Sequence, residues 1–114
     1  MIIRFALAMA LLLCAGVAAV FLGLSSRGEI CTASWYGRGH KTASGERYNS
    51  AAMTCAHPTR PFGTMLRVTS LATGKQITCR VNDRGPFVPG RCVDLSRGAA
   101  KALGMEGVAR VKVQ

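Results

Sequence analysis

The chain has 114 residues, with 15 Lys+Arg against 5 Asp+Glu and a net charge of +10. Setting aside an apolar leader leaves about 85 residues, enough for one small core and too few for two domains. The charge favours anionic partners, but the basic residues are scattered singly and not interleaved with aromatics, which argues against nucleic acid; nucleotide-binding and oxidoreductase roles have no motif behind them.

The leader begins Met1-Ile2-Ile3-Arg4, runs without charge from Phe5 to Leu24 and closes at Ser25-Ser26-Arg27. Residues 1–26 are therefore expected to be a signal peptide, with an uncleaved N-terminal membrane anchor as the alternative. Cys14 follows the bulky Leu13, so a lipid attachment signal is not evident. Export places the remainder, residues 31–113, in an oxidising compartment. Cys31, Cys55, Cys79 and Cys92 then read as two disulfides. The expected pairing is Cys31–Cys55 with Cys79–Cys92, the second joining two adjacent apolar strands. A zinc site is disfavoured, since no C-x-x-C spacing occurs.

Thr32 to Gly37 is a predicted strand, followed by a polar surface loop over residues 38–52. Thr64 to Leu71 alternates, with Leu66, Val68 and Ser70 on one face and Met65, Arg67 and Thr69 on the other. Ala72 to Lys75 is a turn, and Gln76 to Val81 returns as the second arm of a hairpin. Asn82 to Pro86 is rich in turn formers, and after another turn Cys92 to Leu95 forms a short strand. Ser96 caps a helix carrying Ala99, Ala100 and Leu103, which Gly104 ends. Residues 108–113 alternate as a final strand. Hairpins, one short helix and a closing strand predict a mainly β fold, a small barrel held by disulfides.

Asp83 is the best acid/base candidate on local grounds, because it ends an apolar strand beside a Gly-Pro turn. The competing reading makes it a turn organiser with Arg84 as its ion-pair partner. Glu46 lies in the long polar loop and His57 in Thr54-Cys55-Ala56-His57-Pro58; a lone histidine is more often structural than catalytic. Asp94 is expected to join Ser96 at the helix N-terminus. Trp35 and Tyr36 point in opposite directions, so one of them is available to stack on a sugar.

These segments together carry a resemblance. Ala33-Ser34-Trp35-Tyr36-Gly37, Thr42 to Tyr48, Ala56-His57-Pro58, Pro61 to Thr64, Val81 to Phe87 and Asp94-Leu95-Ser96 resemble, in order, the rare lipoprotein A (RlpA) family. The resemblance implies a six-stranded double-psi β-barrel related to expansins, acting as a lytic transglycosylase on peptidoglycan glycan strands in the periplasm or cell envelope. Such enzymes cut the MurNAc–GlcNAc β-1,4 bond without water and leave a 1,6-anhydro end, with a preference for peptide-stripped glycans. By the same resemblance the catalytic residues are Asp83, His57 and Glu46, with Trp35, Tyr36, Arg84 and Phe87 at the substrate, and neither a metal nor a cofactor is expected. A non-catalytic wall-binding or wall-loosening barrel is the alternative. Two departures stand out: the segment from Tyr36 to Thr42 is shorter than usual, and the four cysteines occupy positions that are commonly small or aliphatic.

Overall fold

Alternating side chains build the hairpin that anchors the fold. In the computed structural model, which describes residues 28–114, β3 (Met65–Ser70) buries Leu66, Val68 and Ser70, and β4 (Gln76–Asp83) buries Ile77, Cys79 and Val81. Their turn closes at Gly74, whose φ of 76° belongs to the left-handed region that glycine enters without steric cost. The other strands are β1 (Glu29–Tyr36), β2 (Thr54–Ala56), β5 (Arg91–Ser96) and β6 (Ala109–Val113), and α1 (Arg97–Leu103) lies between β5 and β6. The leader, with its expected cleavage or anchoring, lies outside the described residues. Among those described, no helix is long and apolar enough to cross a membrane.

The strands close into a barrel in the order β1-β5-β2-β4-β3-β6. β1 runs parallel to β5 and β2 parallel to β4, while every other neighbouring pair is antiparallel. Leu66, Val68, Val81, Val93, Leu95 and Val111 fill the centre with essentially no exposure. At roughly 1.5–3 kcal/mol for each such side chain removed from water, this core is the main stabilising term. α1 forms where expected: the Ser96 hydroxyl accepts from Ala99 N–H, Gly104 ends it in a left-handed conformation, and Ala99, Ala100 and Leu103 face the core.

The observed disulfides are Cys31–Cys92 and Cys55–Cys79, which overturns the expected Cys31–Cys55 and Cys79–Cys92 pairing. The barrel order gives the reason. β5 stands between β1 and β2, separating Cys31 from Cys55, and β2 stands between β4 and β5, separating Cys79 from Cys92. Each bridge instead spans one of the two parallel pairs, which no hairpin can connect. Two further differences concern strands. β2 was not expected, and β4 continues through Asn82 and Asp83 into the predicted turn.

Candidate active site

The continuation of β4 is what places Asp83. Thr54 pairs with Arg80 and Cys55 with Val81, and then the register slips so that Ala56 faces Asp83. Asn82 is the extra residue, and a bulge of this kind re-aims a side chain that strict alternation would turn inward. The Asp83 carboxylate lies half-buried, with Oδ1 accepting the N–H groups of Ala43 and Arg84, both at 2.9 Å. Both of these bonds fall on one oxygen and fix the orientation of the other.

The bond to Ala43 ties Asp83 to the loop that carries Glu46. Thr42 N–H donates to the Glu46 carbonyl at 2.8 Å, closing a turn in which Gly45 has φ 93°, and Ser44 N–H donates to the Asn82 carbonyl at 3.1 Å. This turn therefore lies on the end of β4. The Glu46 carboxylate accepts two guanidinium bonds from Arg80, at 2.6 and 2.8 Å. Those bonds hold its carboxyl below the ordinary range. Arg80 was not foreseen as a partner; its outward position in the alternation of β4 was the available signal.

His57 is buried and turned elsewhere. Its Nδ1 accepts the N–H groups of Thr59 and Arg60 at 3.1 and 3.0 Å, which places the neutral ring's proton on Nε2, 3.6 Å from Glu29 Oε2. Burial lowers its pKa, an effect the Glu29 carboxylate opposes. Its link to Asp83 runs through the backbone, His57 N–H donating to the Asp83 carbonyl at 3.2 Å. Of the three expected catalytic residues, Asp83 is hydrogen-bonded to the turn that carries Glu46, while the His57 ring makes no hydrogen bond to either.

Arg84 is not the ion-pair partner of Asp83. Its Nη1 donates to the carbonyls of His57 and Arg60, at 3.3 and 2.7 Å, and its guanidinium carbon sits 4.0 Å from the centre of the Phe62 ring. Arg84 thus clamps the 57–62 turn to the end of β4. Phe87 stands beyond it, 79% exposed. Trp35 and Tyr36 diverge as expected. The Trp35 indole donates to the Glu106 carbonyl at 2.9 Å, near the end of α1. The Tyr36 ring packs on Tyr48 with centroids 4.8 Å apart. The Tyr36 hydroxyl is buried without a hydrogen-bond partner, and burial first, then the Asp83 carboxylate, raises its pKa far above the ordinary phenol value. The hydroxyl therefore stays protonated where it faces Asp83.

Asp94, expected at the helix N-terminus, instead accepts from Ser34 Oγ and from Arg91 Nη2, the latter at 3.1 Å; Ser96 caps the helix without it. For a metal, the described residues offer Glu29, Cys31 and Cys92 within ligand spacing, but the two sulfurs are bonded to each other. A depression of about 480 Å³ lies between the β3–β4 turn and the segment Leu103 to Arg110, and none of Asp83, Glu46 or His57 lines it. The Asp83 site lies on the outer face of the sheet, where Asp83 and Asp94 are half-buried and Ala56 and Ser34 are buried.

A family model described as "Lytic transglycolase" matches residues 29–114. The chain is 55% identical over 76 residues to a probable endolytic peptidoglycan transglycosylase RlpA of Synechocystis sp., covering 64% of this chain and 24% of that protein. It is 52% identical over 87 residues to the endolytic peptidoglycan transglycosylase RlpA of Campylobacter jejuni, covering 72% and 32%. To the protein of that name from Neisseria meningitidis it is 48% identical over 87 residues, covering 72% and 36%. The chain thus spans between a quarter and just over a third of the length of these relatives. Among solved structures, a Streptomyces papain inhibitor superposes with a TM-score of 0.61 at 20% identity, over 78% of this chain and 94% of that one, a likeness of fold alone.

Proposed function

The chain belongs to the RlpA-like double-psi β-barrel family of lytic transglycosylases, and from that premise we propose that it cleaves peptidoglycan glycan strands in the cell envelope. The bond is the MurNAc–GlcNAc β-1,4 linkage and the product a 1,6-anhydro-MurNAc end, with peptide-stripped glycan as the preferred substrate. One observation carries this reading: Asp83 is re-aimed by a bulge onto the outer face of the sheet, held half-buried through Oδ1 by two backbone N–H groups and flanked by the Tyr36 hydroxyl.

In this reaction the Asp83 carboxyl gives its proton to the glycosidic oxygen as the C1–O4 bond breaks. The 6-hydroxyl of the same MurNAc then bonds to C1, and its proton passes to the Asp83 carboxylate, so no water is consumed. The nucleophile belongs to the substrate, which is why a site with a single well-placed acid/base group is sufficient. Glu46 acts with Arg80 to hold the turn that donates Ala43 N–H to Asp83, and His57 organises the turn that Arg84 clamps. Tyr36 lies beneath the site with its buried hydroxyl turned to Asp83, and Arg84 and the exposed Phe87 stand along the rim that meets the sugar.

A second reading, wall-glycan binding without cleavage, is favoured by one feature: Glu46 is occupied by Arg80 and the His57 ring by Glu29. Mass spectrometry of soluble products from denuded and intact peptidoglycan separates the two. Anhydro-ended glycans from the oxidised protein, lost in Asp83→Asn, support cleavage. Retained pull-down with no product from either protein overturns cleavage in favour of binding.

A further inference from the structure

The register of the barrel lines up a row of residues across four strands. Ser34 on β1 pairs with Asp94 on β5, Asp94 pairs with Ala56 on β2, and Ala56 pairs with Asp83 on β4. Paired residues in adjacent strands share a face of the sheet, so the row runs along the outer face in the order Ser34, Asp94, Ala56, Asp83. Two carboxylates thus flank an alanine, the smallest side chain in β2. Their Cα atoms lie two strand spacings apart, about 10 Å. Tyr36, two residues beyond Ser34, is on the same face, and its hydroxyl feels the charges of both Asp83 and Asp94.

Asp94 is held in a particular way. Ser34 Oγ and Arg91 Nη2 both donate to its Oδ1, and Arg91 Nε also donates to Ser34 Oγ at 3.1 Å. Its Oδ2 receives no hydrogen bond from the described residues, and the side chain is 21% exposed. The contrast with Glu46 is informative. There both carboxylate oxygens are taken by one guanidinium, the arrangement that serves an ion pair best. At Asp94 a buried serine and an arginine converge on one oxygen and leave the other directed by them, as Ala43 and Arg84 do at Asp83. The two aspartates of the row are alike in having one oxygen held, and they differ in that Asp94 is ion-paired with Arg91 at 3.1 Å while Asp83 is held by backbone N–H groups alone.

We propose that Asp94 is the second carboxylate of the active site, touching the sugar from the side opposite Asp83. This rests on the lytic reading above. Bond breaking at C1 builds positive charge on the ring, and Asp94 stabilises that charge while Asp83 handles the proton. Ser34 and Arg91 are positioning residues that keep the Asp94 charge aimed across Ala56. An electrostatic stabiliser of this kind acts on the transition state more than on the bound substrate.

The test compares wild type with Asp94→Asn, which keeps shape and acceptor but removes charge. Steady-state release of anhydro-ended products from denuded glycan is measured with thermal melts of both proteins. The expected result is a fall in kcat on the order of 100-fold with KM within about threefold and the fold intact. Equal kcat values with an active wild type overturn the inference and leave the proposed function standing, whereas a wild type that releases no anhydro ends overturns both. A merely structural role would lower the melting temperature and leave kcat of the folded fraction unchanged, which also overturns it. If Asp94→Asn does not fold, Arg91→Gln replaces it, since the charge stays but loses its orientation. A fall in kcat of roughly tenfold at unchanged KM then supports the inference, and an unchanged kcat refutes it.

Discussion

Removing the disulfides one at a time tests how the barrel is held. The Cys31–Cys92 bridge closes a sequence separation of 61 residues and Cys55–Cys79 one of 24. Loop-closure entropy assigns about 4 kcal/mol to the first and about 3 kcal/mol to the second. All four cysteines are buried, so replacing either pair with alanine adds a similar packing loss. That loss cancels in the difference between the two variants, which isolates a loop term of about 1 kcal/mol. The assay is urea unfolding of Cys31→Ala/Cys92→Ala and Cys55→Ala/Cys79→Ala against the oxidised protein, without reductant. We expect the first variant to lose more, with a steeper dependence on urea because its unfolded chain is less constrained. A reversed order, or a loss below about 1 kcal/mol for either pair, would refute the claim that the bridges act by tying together strands that no short loop connects. Peptide mapping that recovered a Cys31–Cys55 peptide would refute the topology itself.

Two further outcomes follow from the turn at the end of β2. The folded pKa of His57 lies below its ordinary 6.5, so as pH falls through that value the unfolded chain takes up the proton more readily. Stability is therefore full above about pH 6.5 and declines below it, and His57→Gln, followed by melting temperature from pH 7.5 to 5, should flatten that decline; an unchanged slope would count against it. Arg84→Lys removes the fork that holds the His57 and Arg60 carbonyls and the flat contact with Phe62. It should cost about 1–3 kcal/mol and accelerate hydrogen exchange in the 57–62 turn selectively; uniform acceleration across the barrel would show that the clamp is not local.

Much of the fold was legible because it rests on local pattern. β3 and the first part of β4 alternate strictly, and the Ser96 and Gly104 caps bracket the helix. β2 was missed because Thr54, Cys55 and Ala56 are all buried: three residues without alternation carry no strand signal, and only β4 and β5 on either side make them one. The disulfide pairing failed for the same reason, since which cysteines are neighbours depends on barrel order and not on distance along the chain. Asp83 stood out through its own setting, but its aim depends on the register slip against Ala56, which lies in no single segment. Asp94 was expected to share the helix N-terminus because Ser96 follows it closely; Ser34, 60 residues away, is what captures it.

The closing pair of the barrel joins its first strand to its last, with Glu29 opposite Val113. Entry and exit of the domain therefore stand side by side, about 5 Å apart. A unit with this layout can be spliced into a longer polypeptide at one point, in the way a bead is threaded, without stretching its host or blocking the Asp83 face. The same adjacency makes it a candidate for circular permutation: a short linker from residue 114 to residue 28, with new ends cut in the exposed β3–β4 turn, should give a chain that still folds. The matching segment makes up 24–36% of the longer relatives, so most of each of those chains lies outside the matched barrel.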